Sequence, residues 1–204
     1  MALVSSGLKD GPLPTHYEPL ETQFGNPLYP GQVSNPVADR KKRSDNRYAG
    51  FQDERFPYVL TTYRLTEHHT AGGMSRQLSH LAELQPEFFC EVSPELAAEA
   101  NLEHGDFATI TTARGIVEAR VLVTQRMRPL WVEGRTVHQV GMPYHWGFNG
   151  VVTGDSANDL IAISEEPNVR IMETKALLCD IEPGRRARGS QALEQLEAKM
   201  EQPA

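Results

Sequence analysis

Two polar loops flanked by aromatic residues hold most of the side chains that could do chemistry: Thr61-Thr-Tyr-Arg-Leu-Thr-Glu-His-His-Thr70 and Gly141-Met-Pro-Tyr-His-Trp-Gly-Phe-Asn149. Their imidazoles, guanidinium and hydroxyls are groups that bind anions, metals or the edges of heteroaromatic rings. Neither spacing forces one function. His68 and His69 are adjacent, so in a strand their side chains diverge, and no His-x-x-x-His pair presents two zinc ligands on one helical face. Taken singly, His145 and the other isolated histidines read first as hydrogen-bonded structural residues. The sequence has no Gly-x-Ser-x-Gly elbow, no phosphate-cradling Gly-x-x-x-x-Gly-Lys loop and no Gly-x-Gly-x-x-Gly turn. Cys90 and Cys179 stand far apart in apolar surroundings with no Cys-x-x-Cys, which leaves neither an iron–sulfur cluster nor a thiolate zinc site to build. They read as single buried strand thiols and fit a reducing, cytoplasmic compartment.

The elements that must position these loops are mostly short strands. Tyr58-Val-Leu-Thr-Thr-Tyr63 is rich in β-branched and aromatic residues and predicts a strand running straight into the first loop. Gly72-Gly73, in the polar stretch from Arg64 to Arg76 that follows the strand, suggests a backbone that approaches something closely. Leu78, Leu81, Ala82 and Leu84 predict a short helix stopped at Pro86, and Phe88 to Val92 a strand. Ser93-Pro94-Glu95 predicts a helix start, with Ser as N-cap, Pro in the first position and an acid in the first turn. Strands are expected at 107–112 and 116–123 around the Ala113-Arg114-Gly115 turn, then at 130–132 and 137–141. After a glycine-rich loop come a helix candidate at Ala157 to Ile161, a long strand from Val169 to Ile181 and a polar helix over 190–200. Such a pattern describes a mostly-β barrel carrying one or two helices.

The 204 residues suit one well-cored domain with extensions: an arm over 1–55, a barrel over 56–184 and a polar tail over 185–204. Seven of the fourteen prolines lie in the first 57 residues, where periodic apolar positions are few. That arm cannot bury a core of its own. It reads either as a linker or as a segment anchored to another surface by Tyr17, Phe24, Leu28 and Tyr29. The formal charge of −7 argues against nucleic acid as a partner. The basic runs at 40–43 and 185–188 read as solvated extensions. No apolar run of about 18 residues marks a membrane span, and the first residues carry no signal-peptide pattern.

On these residues, Phe56-Pro-Tyr-Val-Leu-Thr-Thr-Tyr-Arg-Leu-Thr-Glu-His68 followed by Gly-Gly-Met-Ser-Arg76 resembles the C-terminal domain of formate dehydrogenase α subunits, in the molybdopterin oxidoreductase family. Later landmarks keep the same order: Gly105-Asp106, Arg114-Gly115, Pro143-Tyr-His-Trp-Gly147, Asn158 with Leu160, and Glu173-Thr-Lys175. The lead-in Leu8-Lys-Asp-Gly-Pro-Leu-Pro14 is similar as well, so the resemblance spans nearly the whole chain. It implies a double-psi β-barrel that closes over two molybdopterin guanine dinucleotides (bis-MGD) chelating molybdenum or tungsten. By resemblance Arg64, Leu65 and His68 fall in the first cofactor loop, and Thr70, Gly72, Gly73, Met74 and Ser75 in its continuation. Tyr144, His145 and Trp146 fall in the second loop, Asn158 is a third contact and Lys175 a late basic one.

The cofactor's chemistry suits these types. Pyrophosphate takes backbone N–H groups, Arg and Lys; guanine and pterin edges take amide or imidazole groups such as Asn158 and His145; rings pack on aromatic faces such as Tyr144 or Trp146. Read without the resemblance, Arg64 fits a surface ion pair, Lys175 a solvated cation and Trp146 a core filler. The family's metal-bound selenocysteine or cysteine and its iron–sulfur ligands have no match here. The implied partners are therefore the catalytic, iron–sulfur portion of the large subunit and its electron-transfer subunits, with no nucleic acid and no membrane insertion. A periplasmic location would need a partner to carry the export signal. Two rival readings are a cofactor-free barrel acting as an interaction module and the small barrel subunit of a formylmethanofuran dehydrogenase-like enzyme.

Overall fold

The computed structural model describes residues 18–35, 38–172 and 175–204. In chain order the strands are β1 (Asp39–Arg40), β2 (Tyr58–Tyr63), β3 (Phe89–Val92), β4 (Phe107–Thr111), β5 (Ile116–Val123), β6 (Leu130–Val132), β7 (Arg135–Val137), β8 (Gln139–Pro143), β9 (Ser164–Glu165) and β10 (Leu177–Pro183). Helices α1 (Ser79–Leu84), α2 (Pro94–Glu99) and α3 (Ser190–Met200) complete the set. Six strands close into a barrel in the order β10-β2-β8-β3-β5-β4. Two of its pairings, β2 with β8 and β3 with β5, are parallel. This six-stranded closure agrees with the expected double-psi barrel. Cys90 and Cys179 are both fully buried strand thiols, as expected.

The parallel β2–β8 pair matters most for function. Its register puts Tyr63 opposite Pro143, so two strands far apart in sequence end side by side. The two polar loops therefore leave the barrel from adjacent points. β10 runs antiparallel to β2 with Leu177 opposite Leu60, which brings the residues just before β10 to the same end. Ser93 caps α2 as expected, its hydroxyl accepting from the Leu96 amide at 3.0 Å.

Four expectations change. The single strand over 169–181 begins only at Leu177. Residues 164–172 instead fold back as a hairpin in which the Glu166 amide donates to the Ile171 carbonyl at 2.8 Å, and Ala176, at φ 51°, breaks the run. Val137 to Gly141 splits at His138 between a two-stranded hairpin (β6–β7) and the barrel strand β8. The 157–161 helix is one 3-10 turn over Ala157–Asp159. The basic run at 185–188 is not a solvated extension: Arg185 and Arg188 both donate to Glu118, and Arg186 grips Asp155 with two nitrogens. Both carboxylates are more than nine-tenths buried, and a charge taken out of water needs a partner.

The described part of the arm lies against the barrel. Its expected apolar anchors do not hold it: Leu28 and Tyr29 are exposed, Phe24 lies under the Arg135 guanidinium, and Tyr17 and the Leu8–Pro14 lead-in fall outside the described residues. Leu20 holds it instead, packed in the barrel core, together with Glu21, whose carboxylate is fully buried. It accepts from the Ala49 amide at 2.9 Å, from the Leu178 amide of β10 at 2.8 Å and from the Arg114 guanidinium. Arg114 also donates to the carbonyls of Arg47 and Leu160. One ion pair thus ties the arm, β10 and the 157–160 turn to the β4–β5 corner. Gly115 completes that corner, because a Cβ there would overlap the Asp159 carbonyl.

Breaking a buried pair from one side strands the other charge, at a cost of about 3–5 kcal/mol. Glu21→Ala is expected to lower unfolding free energy by about that much in urea titration and to expose the Arg40–Arg47 stretch to trypsin. Glu21→Leu combined with Arg114→Met is expected to recover only part of the loss, because the Ala49 and Leu178 amides lose their buried acceptor.

Candidate functional site

At the loop end of the barrel, the thirteen residues singled out from sequence sort into two groups. Arg64, Thr70, Gly73, Met74 and Lys175 are exposed, and Leu65 and Tyr144 are half-buried. His68, Gly72, Ser75, His145 and Trp146 are buried. Asn158 is exposed but lines a separate cavity of about 400 Å3 between Arg114, Gly115 and α3, a cavity that Arg64, Tyr144 and Lys175 do not border.

The exposed group is cationic. The Arg64 guanidinium lies over the Tyr144 ring, 4.8 Å from its centroid. The Lys175 amine donates to the Thr62 hydroxyl on β2 at 3.0 Å, two residues before Arg64. Burial, then the charge of Arg64, hold the Lys175 ammonium below its usual range. Among the described residues no carboxylate pairs with either cation. Two neighbouring positive charges that lack a carboxylate partner among the described residues attract anions.

The buried group holds the loops in shape. His145 is fully buried and both ring nitrogens are engaged: Nδ1 donates to the Thr70 carbonyl, and Nε2 accepts from the Leu65 amide at 2.7 Å. This geometry requires the neutral Nδ1–H tautomer. Burial, with the nearby charges of His68, Arg64 and Arg76, depresses its pKa below the usual value despite the Thr70 bond. His68 takes the opposite tautomer: Nε2–H donates to the Gln85 carbonyl at 3.1 Å and Nδ1 faces the Ser75 hydroxyl at 3.1 Å. Trp146 packs edge-on against His68, with ring centroids 5.0 Å apart, and contacts Phe88 and Phe89. His145 therefore offers no ring nitrogen to a guanine or pterin edge and Trp146 no open face. Here the structural readings of both residues describe the geometry.

Sequence reasoning passed over Arg76. Its side chain is buried, and it bonds only to carbonyls: Nη1 donates to Ala71 at 2.6 Å and to His145, and Nε donates to Asn149 at 3.0 Å. These acceptors belong to both loops, so one guanidinium stitches them together. Three glycines make room for it. A Cβ on Gly72, whose φ is +75°, would overlap the His145 carbonyl and crowd Nη1 at 2.7 Å. A Cβ on Gly150 would lie 2.8 Å from Cβ of Arg76, and one on Gly147 would press on Nη2 at 3.3 Å. The available signal was an arginine closing a Gly-Gly loop, with further glycines in the partner loop. Among the described residues no group of three His, Cys, Asp or Glu side chains is placed to hold a metal ion directly.

Residues 58–178 match the model of the molydopterin dinucleotide binding domain. The chain is 42% identical over 176 residues to formate dehydrogenase 2 subunit alpha (cytochrome c-553) of Nitratidesulfovibrio vulgaris, covering 86% of this chain and 17% of that protein. It is 45% identical over 177 residues to the nitrate-inducible formate dehydrogenase major subunit of Escherichia coli K12, again covering 86% and 17%. The acetylene hydratase structure from Pelobacter acetylenicus superposes with a TM-score of 0.53 at 16% identity, over 85% of this chain and 22% of that one. The chain thus spans under a fifth of the length of these two curated relatives.

The His145 arrangement has a pH consequence. Its folded pKa lies below the unfolded value of about 6.5, so the bonds it makes contribute fully above that value. They are lost as pH falls toward the folded pKa, when Nε2 gains a proton facing the Leu65 N–H. Protection of the Leu65 amide, followed by NMR, should fall as the His145 imidazole titrates, and His145→Gln should remove this dependence.

Proposed function

The chain belongs to the molydopterin dinucleotide binding domain family, and from that premise we propose that it is the cofactor-covering part of a formate dehydrogenase large subunit, with Arg64 and Lys175 facing dinucleotide phosphates. The paired cations, with no carboxylate partner among the described residues, carry this reading. The cofactor proposed is the guanine form, two copies of which chelate molybdenum or tungsten; the metal and its pterins supply the redox step between formate and carbon dioxide. This chain's own share is binding and orientation. Arg64, held over the Tyr144 ring, presents a planar fork of donors suited to phosphate, and Lys175 adds a point charge near it. Thr70, Gly73 and Met74 are exposed on the same loop and would add backbone N–H donors or steric contact.

His68, Gly72, Ser75, His145 and Trp146 take a supporting role, fixing the two loops before any ligand arrives, which lowers the ordering cost of binding. Asn158 would meet a different part of the cofactor from the cation pair. In this reading the barrel over 56–184 is the binding unit, the described part of the arm (18–35 and 38–55) and the tail over 185–204 strap it, and the catalytic and iron–sulfur groups come from the rest of the enzyme. No described helix is long and apolar enough to cross a membrane. The proposed setting is the cytoplasm, or the periplasm if a partner carries the export signal. A cofactor-free interaction module is the rival reading, and the exposure of Arg64 and Lys175, which leaves both accessible to an anion, favours the cofactor.

Charge-assisted hydrogen bonds contribute about 1.5–3 kcal/mol each, or about ten- to a hundredfold in affinity. Arg64→Ala should reduce guanine dinucleotide retention by the assembled enzyme within that range and by more than Lys175→Ala does, with circular dichroism unchanged because both side chains are exposed. Full retention in the double variant would overturn the assignment.

A further inference from the structure

The basic run after β10 borders a cavity of about 360 Å3 that neither Arg64 nor Lys175 lines. Phe88, Phe107 and Phe148 give it rings, and Glu118, Arg185 and Arg188 give it charge. Ligand pockets run from about 300 to 1,000 Å3, so this one suits a small molecule. Two of its ion pairs are closed. Arg186 lies fork to fork on both oxygens of Asp155, and Arg120 gives two nitrogens to Glu87 and another to the Gly105 carbonyl. Glu118 is arranged differently. Arg185 and Arg188 each give one nitrogen to the same oxygen, Oε1, at 2.8 and 2.6 Å. Its Oε2 is buried with no hydrogen-bond partner among the described residues. A purely structural pair would lay one guanidinium across both oxygens, as Arg186 does. Here two guanidiniums crowd one oxygen, which leaves an uncompensated positive charge beside a bare acceptor.

We propose that this cavity binds a small apolar carboxylic acid with a hydrogen-bond donor on the carbon next to its carboxylate. The carboxylate takes free nitrogens of Arg185 and Arg188, the donor satisfies Oε2 of Glu118, and the apolar body lies among the three phenylalanine rings. Each requirement comes from one wall of the cavity. The unmatched cation calls for an anion. The bare carboxylate oxygen repels a plain dianion such as phosphate and calls for an N–H or O–H beside the negative group. The rings call for an apolar body. The Glu118 side chain is 9% exposed but the two arginines are 55% and 58% exposed, so they can swing aside to admit the donor. Amino acids and hydroxy acids share this chemistry. The site does not depend on the cofactor reading.

The test titrates the full chain with phenyllactate, phenylalanine, phenylpropionate and inorganic phosphate, following the Nε–H resonances of Arg185 and Arg188 by NMR. Phenyllactate or phenylalanine should saturate them, and the tighter of the two identifies the source as a hydroxy acid or an amino acid. Phenylpropionate lacks the donor and should bind about tenfold more weakly, the effect of one charge-assisted hydrogen bond. Phosphate should not displace the bound acid. Arg188→Gln should weaken binding about tenfold or more, with Arg185 still holding Glu118 and thermal melting unchanged. Phe148→Ser, at a side chain 72% exposed, should weaken it without disturbing the core. No saturation by either acid, phenylpropionate binding as tightly as both, displacement by phosphate, or full affinity in either variant would overturn the site. So would binding lost in Arg64→Ala and kept in Arg188→Gln, which would put the ligand at the other cation pair.

Discussion

Arg76 is a cation enclosed by protein with only carbonyl oxygens around it, and the rest of the site is arranged to accommodate that. Desolvation lowers its pKa and no carboxylate among the described residues offsets the burial. Its stability there depends on strong bonds to Ala71, His145 and Asn149, and those bonds exist only when the loops after β2 and β8 lie together. The parallel β2–β8 pairing makes this possible by ending both strands at one point. Gly72, Gly147 and Gly150 supply the space, and the neutral His145 ring closes the remaining gap by pinning both ends of the 65–70 segment. A lysine in place of Arg76 could not serve three carbonyls in this planar spread.

The same economy governs the chain's extensions. Glu21 and Arg114 hold the arm to the β4–β5 corner, and Asp155, gripped by Arg186 and accepting from the Glu118 amide at 2.9 Å, holds the second loop to β5 and the tail. Glu21, Glu91, Glu118 and Asp155 are buried carboxylates that meet arginines from segments distant in sequence, whereas buried Asp53 pairs with Arg55 two residues on. Arg64 and Lys175, exposed and with no carboxylate partner among the described residues, stand outside that pattern, as does the buried Arg76, and we propose that the exposed pair is a binding feature.

Much of this fold is legible where local chemistry decides it. The β-branched run at 58–63, the strand at 116–123, the Ser93 cap and the helix at 190–200 form where the residues alone place them. The run from Val169 failed because apolar content cannot show that Ala176 turns left-handed and leaves Val169 and Ile171 exposed. The site was legible as two loops, through their resemblance to a family. It was not legible as a division of labour, since whether His145 faces a ligand or a backbone depends on a pairing across about eighty residues. Arg76 was hidden for the same reason, because its acceptors are carbonyls that every residue possesses.

The account turns on which cations face the phosphates, and an experimental structure of the assembled, cofactor-loaded enzyme tests that most directly. It predicts phosphate oxygens about 2.7–2.9 Å from the Arg64 guanidinium and the Lys175 amine, with Arg76 still bonded to its three carbonyls and His145 still bridging Leu65 and Thr70. Phosphates bound elsewhere, with Arg64 and Lys175 left in solvent, would contradict it.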